Sequence, residues 1–226
     1  MTEFNWDNFI QELKKFQKGI ENIGGEFYRE FKIGTPAKEE EILEIEKKLG
    51  YRIPEDFRDI LLNYSSCFKY FWNIYKGVSE EQIELPDNLK GIFAGDLHWE
   101  LNVLVKFQED NKDWIEECFP DYNDEYDRVW HNKMLFYEVG NGDYLAIELE
   151  KENYGKIAYL SHDDGDGHGY YLANNFKELL SNWSKVGCVG GEDWQWLTFY
   201  RSGVGIDPSC ENAKLWADFI FNYRRK

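Results

Sequence analysis

Residues 33–66 read IGTPAKEEEILEIEKKLGYRIPEDFRDILLNYSS, and their punctuation spells two helices in close succession. Thr35 suits a helix cap, and Pro36 beside it gives up only an amide hydrogen that a helix start leaves unpaired. Ile42, Ile45 and Leu49 follow at spacings of three and four, while Glu39, Glu40, Glu41, Glu44 and Lys47 make the outer face. Gly50 is placed to end that helix in a left-handed conformation. Pro54 then starts a further helix with Phe57, Ile60 and Leu61 turned inward.

Upstream, Trp6, Phe9, Ile10, Leu13, Phe16 and Ile20 repeat with the same helical period until Gly24-Gly25 stops it. Downstream the period changes. Cys67–Tyr75 reads as a strand, and 134–139 and 144–149 are two β-prone runs flanking Asn141-Gly142, a strong short hairpin signal. A turn at Asn153-Tyr154-Gly155 leads to a third run, 156–160, so the three form a meander. Residues 92–130 mix an apolar stretch (101–107) with a helix near Trp114–Cys118. A helix at 174–184 carries Phe176, Leu179, Leu180 and Trp183 on one face, and 189–226 reads as two more short helices. The expectation is an α+β fold, a mostly antiparallel sheet packed with N-terminal and C-terminal helices. It comprises a single domain over 1–226: an N-terminal helix in 1–29, a core of about 30–185 and a helical extension over 186–226.

The 226 residues carry 26 Lys+Arg against 43 Asp+Glu, a net charge of −17. Such a surface repels phosphate backbones and anionic membranes and attracts basic partners. A chain of this length buries roughly 70% of its unfolded surface, so neither disulfides nor metal are needed to hold a core. Cys67, Cys118, Cys188 and Cys210 are scattered and make no C-x-x-C pair. With a polar opening, MTEFNWDNFIQELKKF, and no long apolar run, reduced thiols and a cytoplasmic location are expected, with no membrane contact.

The string SHDDGDGHGYY (161–171) invites a metal reading. Counting Asp164 as first ligand of a calcium loop puts Asp166 third and His168 fifth, but the twelfth position is Asn175 rather than a bidentate Glu. A transition-metal set would be His162, Asp164, Asp166 and His168, with nothing to fix them on one rigid face. A Gly-rich turn between strand and helix is the expected role, with no metal. G-x-S-x-G, H-E-x-x-H and P-loop patterns are missing, and accidental acidic pairs such as Glu116/Glu117 are inevitable among 43 carboxylates. No catalytic residue and no cofactor is expected.

The segment EDNKDWIEECFPDYNDEYD (109–127) is more informative. It holds nine acids and one base, a local charge of −8, interleaved with Trp114, Phe119, Tyr122 and Tyr126. It reads either as a solvated acidic helix and loop or as a docking surface that steers a basic partner. The candidate partner-binding residues are Trp114, Glu116, Glu117, Asp121, Tyr122, Asp124, Glu125, Tyr126 and Asp127.

The 33–66 stretch closely resembles the signature opening of the SUKH superfamily, the Smi/Knr-type proteins. The signature positions fall on Pro36, Ile42, Glu46, Leu49, Gly50, Ile53, Pro54, Phe57 and Leu61. The resemblance resumes over 134–149 and 157–183 as the family's hairpin, terminal strand and closing helix, and the tail is similar to an extension of one bacterial branch. Ser65-Ser66 stands where the family has Asn-Gly. The resemblance implies helices on a mostly antiparallel sheet and no catalytic residues. It also implies an immunity protein that binds and neutralises a toxin domain, often a nuclease, of a polymorphic or contact-dependent system. The other expectations are a regulatory scaffold of the fungal type or, from the acids and aromatics, a carbohydrate-active or metal-dependent enzyme.

Overall fold

Helix α1 (Trp6–Ile23) is capped at both ends by groups of the expected kind. The Asn5 side chain accepts the Asn8 amide hydrogen at 2.8 Å, and Gly24 closes the helix at φ 91°. The computed structural model describes residues 4–27, 30–75 and 83–222. α2 (Glu39–Leu49) starts later than the Thr35-Pro36 signal places it. The reason is that 35–38 spends its backbone groups sideways: the Ala37 N–H donates to the Leu61 carbonyl, and the Thr35 carbonyl accepts from both Ser66 N–H and Ser66 Oγ. Gly50 ends α2 at φ 81°, and α3 (Glu55–Asn63) follows Pro54 directly, with Phe57, Ile60 and Leu61 wholly buried.

The turn between α2 and α3 is locked by charge. Glu46 accepts the Ile53 N–H and the Arg58 Nε–H, each at 3.0 Å, and Arg58 also pairs with Glu39. Arg58 and Glu46 are nearly inaccessible, so removing either one would strand the other's charge away from water.

The strands form two principal antiparallel sheets and a small hairpin. The first sheet orders β1 (Lys32–Ile33), β2 (Cys67–Asn73) and β3 (Ala94–Glu100); β3 lies inside the region that the sequence left unresolved. The second is the expected meander, β4 (Lys133–Glu138), β5 (Tyr144–Glu148) and β6 (Ile157–Leu160), extended by β7 (Tyr171–Ala173). The 161–171 loop therefore joins strand to strand and not strand to helix. Between β4 and β5 the register slips by one at Phe136, so Lys133 faces Glu148. α4 (Leu104–Glu117) and α5 (Asp127–Trp130) lie between the sheets in sequence, α6 (Phe176–Trp183) follows β7, and the helix expected at Trp114–Cys118 is the end of α4.

The tail is more varied than two helices. It contains the single turn α7 (Asp193–Trp196), the hairpin β8 (Tyr200–Arg201) and β9 (Gly205–Ile206), and the long α8 (Glu211–Asn222). α8 packs on α1, where Gly19 admits Ile220 so closely that a Cβ would lie 2.2 Å from its methyl. The main core joins α1, α2, α3, α6 and α8 to the inner sheet faces. Of the fully buried tryptophans, Trp72, Trp99, Trp130, Trp183 and Trp216 each donate the indole N–H to a backbone carbonyl, as burial of that group demands. A second, smaller core on the outer face of the meander gathers Phe107, Phe119, Trp130, Leu135, Tyr144, Ala146 and Leu160. The four cysteines are free, and among the described residues no helix is long and apolar enough to cross a membrane.

Candidate functional site

α4 is amphipathic. Leu104, Phe107 and Asn111 are buried, and Glu109, Asp113, Glu116 and Glu117 are left to solvent. The Cys118 and Phe119 amides both return to the Trp114 carbonyl, and Pro120 forbids another turn. The loop after it is built from its own carboxylates. Asp121 accepts from the Asn123 N–H, Asp124 from the Tyr126 and Asp127 N–H groups, and Asp127 from the Asp121 N–H, all at 2.8–3.1 Å. Such side-chain-to-backbone bonds hold a turn without a core. Seven of the nine acids in 109–127 are exposed, Glu116, Glu117, Asp121, Asp124 and Glu125 among them, and Asp110 and Asp127 are half-buried.

The aromatics divide differently. Trp114 packs against Phe119 and Trp130 beneath the helix, with ring centroids 6.0 and 5.6 Å away. Tyr126 stacks on His168 at 3.7 Å, donates its hydroxyl to the Ser161 carbonyl and accepts the Asp164 N–H. Phe119 is buried. Tyr122 is the ring presented outward, 43% exposed, its hydroxyl donating to Glu150. So Trp114 and Tyr126 hold the surface in shape, and Tyr122 with the acids forms it.

Those contacts join the two strings that the sequence singled out separately. The Ser161 carbonyl receives both the Tyr126 hydroxyl and the Trp130 indole, while its N–H donates to His168 Nδ1 at 2.9 Å. His168 Nε2–H donates in turn to the Tyr126 carbonyl at 3.0 Å. The Gly167 N–H donates to Asp193 across 26 residues. Both ring nitrogens of His168 are thus committed, and it does not converge with His162, Asp164 and Asp166 on a common ion.

A different trio, Asp143, His162 and Asp163, brings one ligand-type atom each to within 4.8 Å of one another. The Asp143 carboxylate is already saturated, by Asn141, the Tyr159 hydroxyl and the N–H and ring of His162. Burial alone would raise this carboxyl, but the bonds from Tyr159 and His162 outweigh it and hold it below the usual range. The Asp143–His162 pair anchors the loop to the β4–β5 hairpin, and Asp163 bonds Ser161 within the loop.

Sequence reasoning missed a polar pocket of about 320 Å³ beside the acidic loop, lined by Glu125, Arg128, Lys133, Glu148, Glu150 and Tyr171 among others. At its floor Lys133 and Glu148 form an ion pair of 2.9 Å with side chains only 6% and 4% exposed. The signal for it was the hairpin register, which the slip at Phe136 conceals.

A family model described as the SMI1 / KNR4 family (SUKH-1) matches residues 36–182, about two-thirds of the chain. No curated protein and no solved structure matches significantly. The match runs from the start of the motif at Pro36, through the locked α2–α3 turn and the meander, to α6. With helices packed on antiparallel sheets as that resemblance implied, the chain belongs to the SMI1 / KNR4 (SUKH-1) family.

Proposed function

We propose that this chain is an immunity protein that binds and neutralises a basic toxin domain, of nuclease type, from a bacterial polymorphic or contact-dependent system. The family is in general one of non-catalytic immunity and scaffold proteins, which fits a partner-binding role. The observation that carries the finer reading is the acidic unit of α4 and the 121–127 loop. Seven exposed carboxylates stand on a frame that Trp114, Phe119 and Tyr126 hold from below. A nuclease domain needs cations to hold phosphates, and a rigid acidic face is their electrostatic complement.

The test is co-expression with the neighbouring toxin gene, followed by association kinetics at two salt concentrations. Wild type protects the cell and binds. Reversing Glu116, Glu117, Asp124 and Glu125 to Lys slows association by about tenfold or more at low salt and flattens its salt dependence. Tyr122→Ala speeds dissociation, costing about 2 kcal/mol if the exposed ring is a buried anchor in the complex. A wild type that neither protects nor binds refutes the immunity reading in favour of the regulatory scaffold. Protection that survives the reversals moves the interface elsewhere.

A further inference from the structure

A cleft of about 330 Å³ runs along the flank of α4 beside the acidic surface. Lys106, Asp110, Asp113, Trp114 and Glu117 recur at helical spacing and make one wall. The opposite wall is the turn end of the β4–β5 hairpin, where Glu138 and Tyr144 face each other across the strands. Four carboxylates thus face one ammonium between two aromatic rings. Among the described residues the metal-type trio is Asp143, His162 and Asp163, so no three of these carboxylates converge on one metal ion. The chain already sets a cation of its own here, since Lys106 Nζ lies 3.2 Å from Asp110 Oδ2. That oxygen is shut off from water, and the ammonium meets it without hydrogen-bond geometry. Burial, with the Glu138 and Asp110 carboxylates behind it, pushes the Tyr144 hydroxyl up to about 12.

From this geometry we infer that the cleft receives an arginine side chain of the basic partner, its guanidinium lying against Trp114 and Tyr144 with Asp110 as counter-charge. A guanidinium suits the site better than an ammonium, because it is planar, stacks on aromatic faces and presents a fork of N–H donors to carboxylates. It would give Asp110 Oδ2 the directed bond that Lys106 does not. Lys106 is 65% exposed and held only by an i,i+4 pair, a weak contact that an incoming cation displaces. The wall is firm, since Trp114 packs on Phe119 and Trp130, so little order has to be created on binding. For its occupant the inference rests on the toxin-binding reading; for the chemistry of the cleft it does not.

The test uses the free full-length chain, with Nα-acetyl-arginine methylamide as the probe. Titration followed by NMR should shift the Trp114 indole N–H and the Tyr144 signals saturably, ahead of the exposed acids of α2. Lys106→Met removes the competing ammonium, keeps the stem and should tighten the probe about twofold or more. Asp110→Asn should weaken it about fivefold or more. If that variant fails to fold, Lys106→Met at its exposed position decides alone. Equal binding by the neutral citrulline analogue or by the lysine analogue overturns the inference. So do shifts spread evenly over every acidic face, or a Lys106→Met chain that binds the probe no tighter. Toxin binding and protection by wild type are measured separately. A chain that takes the probe but no toxin refutes the toxin reading and leaves the cleft; one that binds toxin while the probe ignores the cleft refutes this inference alone.

Discussion

Replacing Lys133 by Met removes a charge from the floor of the polar pocket and keeps the aliphatic stem. Glu148 is then left 3% accessible, with the Tyr171 hydroxyl and the Glu150 N–H, each at 3.1 Å, as its remaining donors. Stranding one member of a buried pair costs about 3–5 kcal/mol, and those two donors place this case near 3. Glu148→Gln costs less, about 2 kcal/mol, because Lys133 keeps the His131 carbonyl at 2.9 Å. The double variant Lys133→Met/Glu148→Gln removes both charges and retains an acceptor for Tyr171. Its loss should be about 2 kcal/mol and not the sum of about 5, a coupling of about 3. Urea midpoints of the four proteins, at a common slope, give the cycle directly. Single losses below about 1 kcal/mol that simply add would show that water in the pocket screens the pair like a surface bridge, and the reasoning would fail.

The glycines offer a second comparison. Gly50→Val should lose roughly 1 kcal/mol through conformation alone, since φ is 81° and nothing lies within 4 Å of an added Cβ. Gly205→Ala, at φ 91° with the Leu172 carbonyl oxygen 2.2 Å from that Cβ, should lose clearly more; equal denaturation midpoints would refute this. Acid should act on stability through Asp143. The depressed Asp143 carboxyl gives stability that is complete above about pH 4 and lost as the pH falls through its folded value. Asp143→Asn should therefore be weaker at pH 7 but flatter below pH 4, and an unchanged acid limb would assign that slope to other carboxylates.

Local chemistry made much of the fold legible. Gly24, Gly50 and Pro54 mark helix boundaries that depend on one residue's backbone preference, and Asn141-Gly142 marks a hairpin for the same reason; Gly142 sits at φ 98°. β3 escaped because in AGDLHWE only Leu97 and Trp99 carry the alternation of a strand, and the apolar run from Leu101 follows at once, through one tight turn into α4. The charge of 109–127 was readable, since a carboxylate stays at the surface unless a buried cation or donor set compensates its burial. Its aromatics were not: whether Trp114 or Tyr126 faces out depends on Trp130 and His168, and the latter is 42 residues away. The Lys133–Glu148 pair depends on one unpaired residue in a strand. Without the slip at Phe136, Lys133 would face Leu149.

The seam between α1 and α8 sets an order on the birth of the molecule. Trp72, in the middle of the first sheet, has its indole N–H bonded to the Gly187 carbonyl and its ring stacked on Trp216, while Tyr70 beside it bonds to Leu13. The buried apolar residues beneath the acidic face run from Phe107 to Leu160. During synthesis at about 5–20 residues per second, that frame is complete while the other sheet still lacks its lid. The native surroundings of Trp72 close only when Trp216 has been made, so α1 and α8 meet after both sheets have been synthesised. Trp72 emission during translation would report that closure, and a ribosome stalled before residue 211 should hold a chain with its meander formed and Trp72 without its Trp216 stack.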